Sequence, residues 1–255
     1  MATAAVLAGA APGVAHAQDS LAAATNPAGL VDLGNRLDVG LEIFTPRRGA
    51  SITGNAFGPD QSFDGSDTKR FYIPEFGYNR VLSPTLAAGV AVYGNGGMNT
   101  DYGTNPYARF MATGPAGINL EQLFIAPAVA WRFAEGQSVG LAVNLAYQTF
   151  EAKGISIFGM YSANPAHVSD NGTDSATGAG VRLGWQGSLG RHVTLGASWQ
   201  SKTYMSEFDK YAGLFADQGD FDIPETWTLG AAVKVTPKLT LLADFQHIAL
   251  SDIPA

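Results

Sequence analysis

The chain has 255 residues, of which 46% are apolar and only 15% charged, with a formal net charge of −7. A soluble domain carries about 25% charged residues, and no run of about 18 apolar residues is present to form a spanning helix. The acidic balance argues against nucleic acid as a partner, and the absence of cysteine removes disulfides, thiol nucleophiles and cysteine-held metals.

Met1–Ala24 is rich in small residues and shows neither strand alternation nor an amphipathic helical period. Ala15, His16 and Ala17 match an A-x-A cleavage pattern, but no Lys or Arg precedes the apolar stretch. Two readings stay open: a processed leader, or mature sequence flexible enough to thread a lumen, with the export signal upstream. Asn26-Pro27-Ala28-Gly29 follows, a turn-forming sequence at the boundary with the first strand.

From Arg36 the chain alternates with a period of two. Leu37, Val39, Leu41 and Ile43 oppose Asp38, Gly40 and Glu42. The pattern returns in Phe71–Leu82, Leu86–Tyr93, Leu123–Phe133, Ser138–Phe150, Gly178–Leu189, His192–Lys202, Thr226–Val235 and Leu239–His247. Pro127 is awkward for a central strand because it lacks an N–H. Nine such segments are near the 9–11 residues that a tilted strand needs to cross a bilayer. Their charges (Asp38, Glu42, Arg182, Lys202, Lys234 and Asp244) fall on the row opposite the large apolar side chains, as a polar lumen behind a lipid-facing wall requires. Aromatic residues gather towards strand ends, the position of an interfacial girdle.

The connections alternate in length. Ser83–Thr85, Ala134–Gln137, Gly190-Arg191 and Thr236–Lys238 are tight, whereas Gly49–Thr68, Gly94–Gln122, Glu151–Thr177 and Ser206–Glu225 are long. Short periplasmic turns and long external loops are the pattern of an outer-membrane barrel. This polarity puts Arg47, Arg48, Lys69 and Arg70 at the outer rim, where they meet lipopolysaccharide phosphates or snorkel at the interface. The fold expected is all-β: a transmembrane antiparallel barrel from 36 to 255 with an N-terminal segment, 1–35. A sheet edge left open in hydrocarbon leaves N–H and C=O groups unpaired, and an odd strand count leaves the C-terminus on the outer side, so further strands are expected to close the wall.

Catalytic readings fail. His16, His167, His192 and His247 lie in separate segments without metal-ligand spacing, and neither G-x-S-x-G nor H-E-x-x-H occurs. No enzyme activity, metal or cofactor is expected. Apolar loop residues are the better candidates. Phe208, Tyr211, Leu214 and Phe215 have the spacing of a short amphipathic helix, and Phe158, Met160 and Tyr161 concentrate in the preceding long loop. They either pack together as a lid or receive an apolar ligand. Gly94, Asn95, Gly96 and Gly97 follow a strand and either end it or kink it.

Several blocks, LDVGLEIFTPRR, YGNGGMNTDYG, LEQLFIAPAVAWRF and YAGLFADQGDFDIPETWTLG, together with the Asn26–Gly29 turn, resemble the FadL/TodX-type outer-membrane transporters of long-chain fatty acids and other hydrophobic compounds. The resemblance implies a barrel of roughly fourteen strands, about nine of them present here. It makes Asn26, Pro27, Ala28 and Gly29 part of a lumen hatch, and Gly94–Gly97 the kink beside a lateral opening. It gives the loops with Phe158, Met160 and Tyr161 and with Phe208, Tyr211, Leu214 and Phe215 the role of ligand capture. The expected partners are a fatty acid or hydrocarbon, outer-membrane lipid and lipopolysaccharide, and the expected state is a monomer. The implied function is passive uptake by loop capture, hatch movement and lateral exit. A surface receptor or adhesin, whose loops merely lid the pore, is the competing reading.

Overall fold

The computed structural model describes residues 5–6, 14–15 and 19–253. Nine strands form one antiparallel meander, each paired with its neighbours in chain order: β1 (Arg36–Phe44), β2 (Phe71–Ser83), β3 (Leu86–Tyr102), β4 (Ala116–Ala134), β5 (Gln137–Lys153), β6 (Asp174–Leu189), β7 (Val193–Gln200), β8 (Thr226–Thr236) and β9 (Leu239–Ile248). Two-residue turns join β2 to β3, β4 to β5 and β8 to β9 at one end of the wall. Gly136 and Gly190 take positive φ in the tight connections, at 67° and 68°, a conformation that costs glycine no Cβ clash. The long connections all leave from the other end, and the first contains a small hairpin, Gly49–Ile52 with Gln61–Asp64.

The sheet curls around an N-terminal segment of two short 3₁₀ helices, Ser20–Ala24 and Pro27–Asp32. Together these touch β1 to β6, which places them on the concave side. The opposite face carries the large apolar row: Leu37, Val39, Leu41 and Ile43 on β1 and Leu141, Val143 and Leu145 on β5 are exposed. An apolar exterior around a buried interior is the inversion expected of a lipid-facing wall. Val143→Arg is expected to destabilise the wall by about 2–4 kcal/mol, the cost of a cation on the lipid face near the midplane. Denaturant unfolding in lipid, read by tryptophan fluorescence, measures it.

Strands β3, β4 and β5 run longer than the alternation indicated. Gly94–Tyr102 and Ala116–Gln122 do not form one loop but pair with each other, from Gly96↔Gln122 to Tyr102↔Ala116. The register shifts between Gly94 and Gly96, so the glycine stretch is a bulge inside a strand. Pro127 stays within β4 opposite Val90 of β3, while the register with β5 skips from Ile125↔Leu145 to Ala128↔Ala142. The missing N–H is thereby accommodated in an interrupted stretch of ladder.

Candidate functional site: the lumen and its gap

Asn26 caps the second helix. Its Oδ1 accepts from Ala28 N–H at 3.1 Å, and Pro27 occupies the first helical position, where a missing N–H costs nothing. The Asn26 amide donates in turn to the carbonyls of Val14, at 2.7 Å, and of Trp185 in β6, at 2.9 Å. Asn26, Pro27, Ala28 and Gly29 are all buried. They lie over Gly140 of β5 and Gly184 of β6, which are direct partners across the ladder. A Cβ on Gly140 would overlap Ala28 N and the Pro27 carbonyl carbon, and one on Gly184 would overlap Asn26 Oδ1. The two glycines therefore form a flat seat on which the turn rests.

Polar anchors fix the segment's edges. Asp38 of β1 accepts from Ser20 N, at 2.9 Å, and from Arg36 Nε, at 2.7 Å. Asn79 of β2 donates to the carbonyls of Leu30, at 2.9 Å, and Gly34, at 2.7 Å. Arg132 of β4 pairs with Asp32 at 2.5 Å, and Gln186 of β6 donates to the same carboxylate at 2.8 Å. These anchors, with Gly140 and Gly184, escaped the sequence reading because each is one polar or small residue in an ordinary lumen-facing row. Arg132→Ala is expected to cost about 0.2–1 kcal/mol locally, because the Arg132–Asp32 pair is part-exposed and Asp32 keeps Gln186. Faster amide exchange over 30–34 checks it.

The interior face of β5 reads Gly140, Ala142, Asn144, Ala146, Gln148 and Phe150, which spans about 34 Å along the strand. The turn sits at the first position and an aromatic cluster at the last. Between them Asn144, Gln148, Arg182 and Gln200 form a buried polar layer, in which Asn144 Nδ2 donates to Gln200 at 3.2 Å. At the outer end Phe150 meets Tyr211 edge-on, with centroids 4.9 Å apart, Phe215 at 5.0 Å and Phe208 at 5.6 Å. Burial pushes the Tyr211 hydroxyl above its usual pKa range.

The two apolar loop sets are not brought face to face. Phe208 and Tyr211 are fully buried, with Leu214 and Phe215 packed against their cluster. Only Asp209–Tyr211 is helical, one 3₁₀ turn rather than an eight-residue helix. Phe158 instead meets Tyr107 of the previous loop, with centroids 5.0 Å apart, while Met160 and Tyr161 are exposed. Hydrogen bonds tie the loops at their backbones: Gly213 N to His167 O at 3.0 Å, and Ser162 Oγ to Gly213 O at 2.6 Å.

At the glycine bulge the wall parts. Pairing of β2 with β3 ends at Phe76↔Val92. Beyond it Phe71–Glu75 remains paired only with β1, and the upper part of β3 stays with β4. Ala5–Val6 pairs with Met98–Asn99, leaving the stretch around Gly94–Gly97 without a strand on its β2 side among the described residues. A cavity of about 690 Å³ lies there, lined by Glu42, Ile73, Glu75, Gly94, Met98 and Glu121, among others. Tyr72 and Tyr147 line it too and face outwards, which sets the opening at the aromatic girdle. Asn95 Nδ2 holds the bulge by donating to Gln122 at 3.1 Å.

Arg48 differs from its expected place at the rim. It is 5% exposed, donates to Asn99 and Thr68, and lies 5.5 Å from the centre of the Phe71 ring. Burial lowers its pKa from the usual value, against the opposing pull of Asp101 and Asp64. Arg47, Lys69 and Arg70 are exposed, as the rim position requires. Among the described residues no group of His, Asp or Glu has the arrangement of a metal site. The candidate cleavage residues His16 and Ala17 lie outside the described residues.

An antiparallel wall with an apolar exterior, long loops at one end and an internal segment filling its concave side has the architecture of an outer-membrane transmembrane β-barrel. The chain belongs to the family of outer membrane transport proteins described as OMPP1/FadL/TodX, whose model matches residues 2–254. Its fold is similar to that of the toluene transporter TodX from P. putida (TM-score 0.67, 18% identity, 92% of this chain and 67% of that one). It is also similar to the Ralstonia pickettii toluene transporter TbuX (TM-score 0.65, 18% identity, 90% and 67%). A Pseudomonas aeruginosa FadL homologue matches with TM-score 0.59 and 14% identity over 92% and 65%. The chain thus spans about two thirds of the length of these structures. Comparison with curated protein sequences finds no significant match.

Proposed function

We propose that the protein is a passive channel for small hydrophobic compounds across the outer membrane. In this reading Asn26–Gly29 is the tip of a hatch seated on Gly140 and Gly184, and the lumen exits sideways through the gap between β2 and β3. The observation that carries it is the coincidence of the two features. The wall opens beside Gly94–Gly97 while the axial route below is filled by a buried, hydrogen-bonded segment. An apolar solute then leaves at the level of the membrane without crossing the periplasmic water layer. TodX and TbuX are toluene transporters by description, which supports the same class of cargo.

The external loops supply entry in this reading, with Phe158, Met160 and Tyr161 exposed for first contact and Phe208, Tyr211, Leu214 and Phe215 forming the closed mouth. The protein works as a monomer, and Arg47, Lys69 and Arg70 meet lipopolysaccharide phosphates at the outer rim. The test is uptake of a radiolabelled alkylbenzene by cells exporting the protein. Gly94→Leu places its Cβ 2.8 Å from Ile73 Cγ2, so the side chain must grow into the gap. Uptake is expected to fall about tenfold, a barrier change of about 1.4 kcal/mol. Undiminished uptake by a folded Gly94→Leu protein sinks the lateral route.

A further inference from the structure

The cavity at the gap is apolar in part but rimmed by carboxylates, and these are not balanced by free cations. Glu42 on β1 and Glu75 on β2 are half-buried on the interior face, beside the β2 edge that β3 has left. The ladder pairs Glu42 with Ile73 and Gly40 with Glu75, which makes the two glutamates diagonal neighbours, about 7 Å apart. Glu121 stands on the far side of the gap, opposite Gly97.

Three cations line the same cavity, Arg48, Arg70 and Lys153. Arg48 is engaged by Asn99 and Thr68, and its charge faces Asp101 and Asp64. Lys153 lies 3.6 Å from Glu151. Arg70 is exposed to solvent, where water screens it. Negative charge therefore prevails along the lining of the gap, among apolar neighbours such as Ile73 and Met98 that weaken dielectric screening.

We infer that Glu42 and Glu75 are specificity determinants that turn carboxylates away at the gap, so that the cargo is an uncharged hydrophobic compound rather than a fatty-acid anion. The inference rests on the lateral route proposed above and adds a selection rule to it. An anion entering the cavity meets like charge on both sides of its path, whereas a neutral molecule of the same chain length meets only the contact surface of Ile73, Met98 and the glycine backbone. Discrimination by a repulsive element needs no dedicated pocket for the favoured ligand.

The experiment compares radiolabelled dodecanol and dodecanoate, which share a chain and differ in head group, at neutral pH in cells exporting the protein. Vector-only cells give the background. The wild type is expected to take up dodecanol at least about tenfold faster than dodecanoate. E42Q/E75Q is expected to narrow that ratio to within about threefold, and E75K to favour dodecanoate. Heat-modifiable migration reports folding of each variant, and the single variants E42Q and E75Q serve if the double variant fails to fold. Equal wild-type uptake of the two probes overturns the inference and leaves the transport reading standing. A ratio unchanged in the folded variants also overturns it. Uptake of both probes at background overturns the transport reading, and the selection rule with it.

Discussion

Gly140→Ala and Gly184→Ala are expected to lift the N-terminal segment off the wall while leaving the wall itself intact. The added Cβ of the first meets backbone atoms of Ala28 and Pro27, which cannot rotate away, and that of the second meets the Asn26 amide. Overpacking of this kind costs about 1–3 kcal/mol. Displacing Asn26 also breaks its bonds to the Val14 and Trp185 carbonyls. Leaving such buried groups without partners adds about 1–3 kcal/mol. The strands lose nothing by the change, because alanine is at least as compatible with a strand interior as glycine.

The measurement is amide exchange over residues 20–32. A loss of about 2 kcal/mol in local stability raises exchange about 30-fold there. Exchange in β5 and β6 is expected to stay at its wild-type level. Ala142→Gly, one interior position along β5 from Gly140, adds no atom and serves as the control for a mere change of composition. Slow exchange of 20–32 in both alanine variants would mean that the segment is not held by this seat.

How far the sequence foretold this arrangement depends on which side of the girdle a residue lies. Within the membrane, large apolar residues face out and small or polar ones face in, so alternation located β1, β2 and β6 to β9 with errors of a few residues. Above Tyr147 on β5 and Leu123 on β4 the sign of the alternation reverses. Ile118, Leu120, Phe150 and Ala152 face inwards to the loop cluster, while Asn119, Glu121 and Glu151 face out. A strand read by one polarity disappears where the polarity flips, which is why Gly94–Gln122 read as a single loop. The glycine stretch was visible as an interruption, but only the partner strand β4 shows that it is a bulge. Glycine's poor strand propensity is offset there by a continuous ladder from Gly96 to Tyr102.

The Asn26–Gly29 motif was legible through turn chemistry and resemblance. Its seat was not, since Gly140 and Gly184 differ in no local respect from other interior glycines and are defined only by what rests on them. Arg48 misled for the opposite reason. A charged residue in a loop next to Arg47 reads as solvated, and only the fold brings Asn99, Thr68 and the Phe71 ring around it. Long side chains of high charge are buried when the backbone supplies carbonyl acceptors, and Thr68 and Asn99 lie 20 and 51 positions away in the chain.

The largest single loss of stability is expected for Phe150→Ala. The ring is 3% exposed and is the common neighbour of Phe208, Tyr211 and Phe215. Truncating a buried phenylalanine costs about 3–5 kcal/mol, and three aromatic contacts of favourable geometry are lost with it. Because Phe150 lies on a wall strand and its three partners on the loop between β7 and β8, the deficit falls on the loop. Protease cleavage within 206–225 is expected to accelerate at least about tenfold, while Tyr161→Ala, at an exposed tip, changes stability by less than about 0.5 kcal/mol. The same variant separates a lid from a capture site. If ligand enters past this cluster, the cavity left by Phe150→Ala holds the mouth open, and uptake of a hydrophobic probe rises although the loop is weaker. If the cluster is itself the surface that captures the ligand, stability and uptake fall together. Opposite movement of the two quantities identifies Phe208, Tyr211 and Phe215 as a gate, because a binding surface cannot gain flux from losing the ring on which it is built.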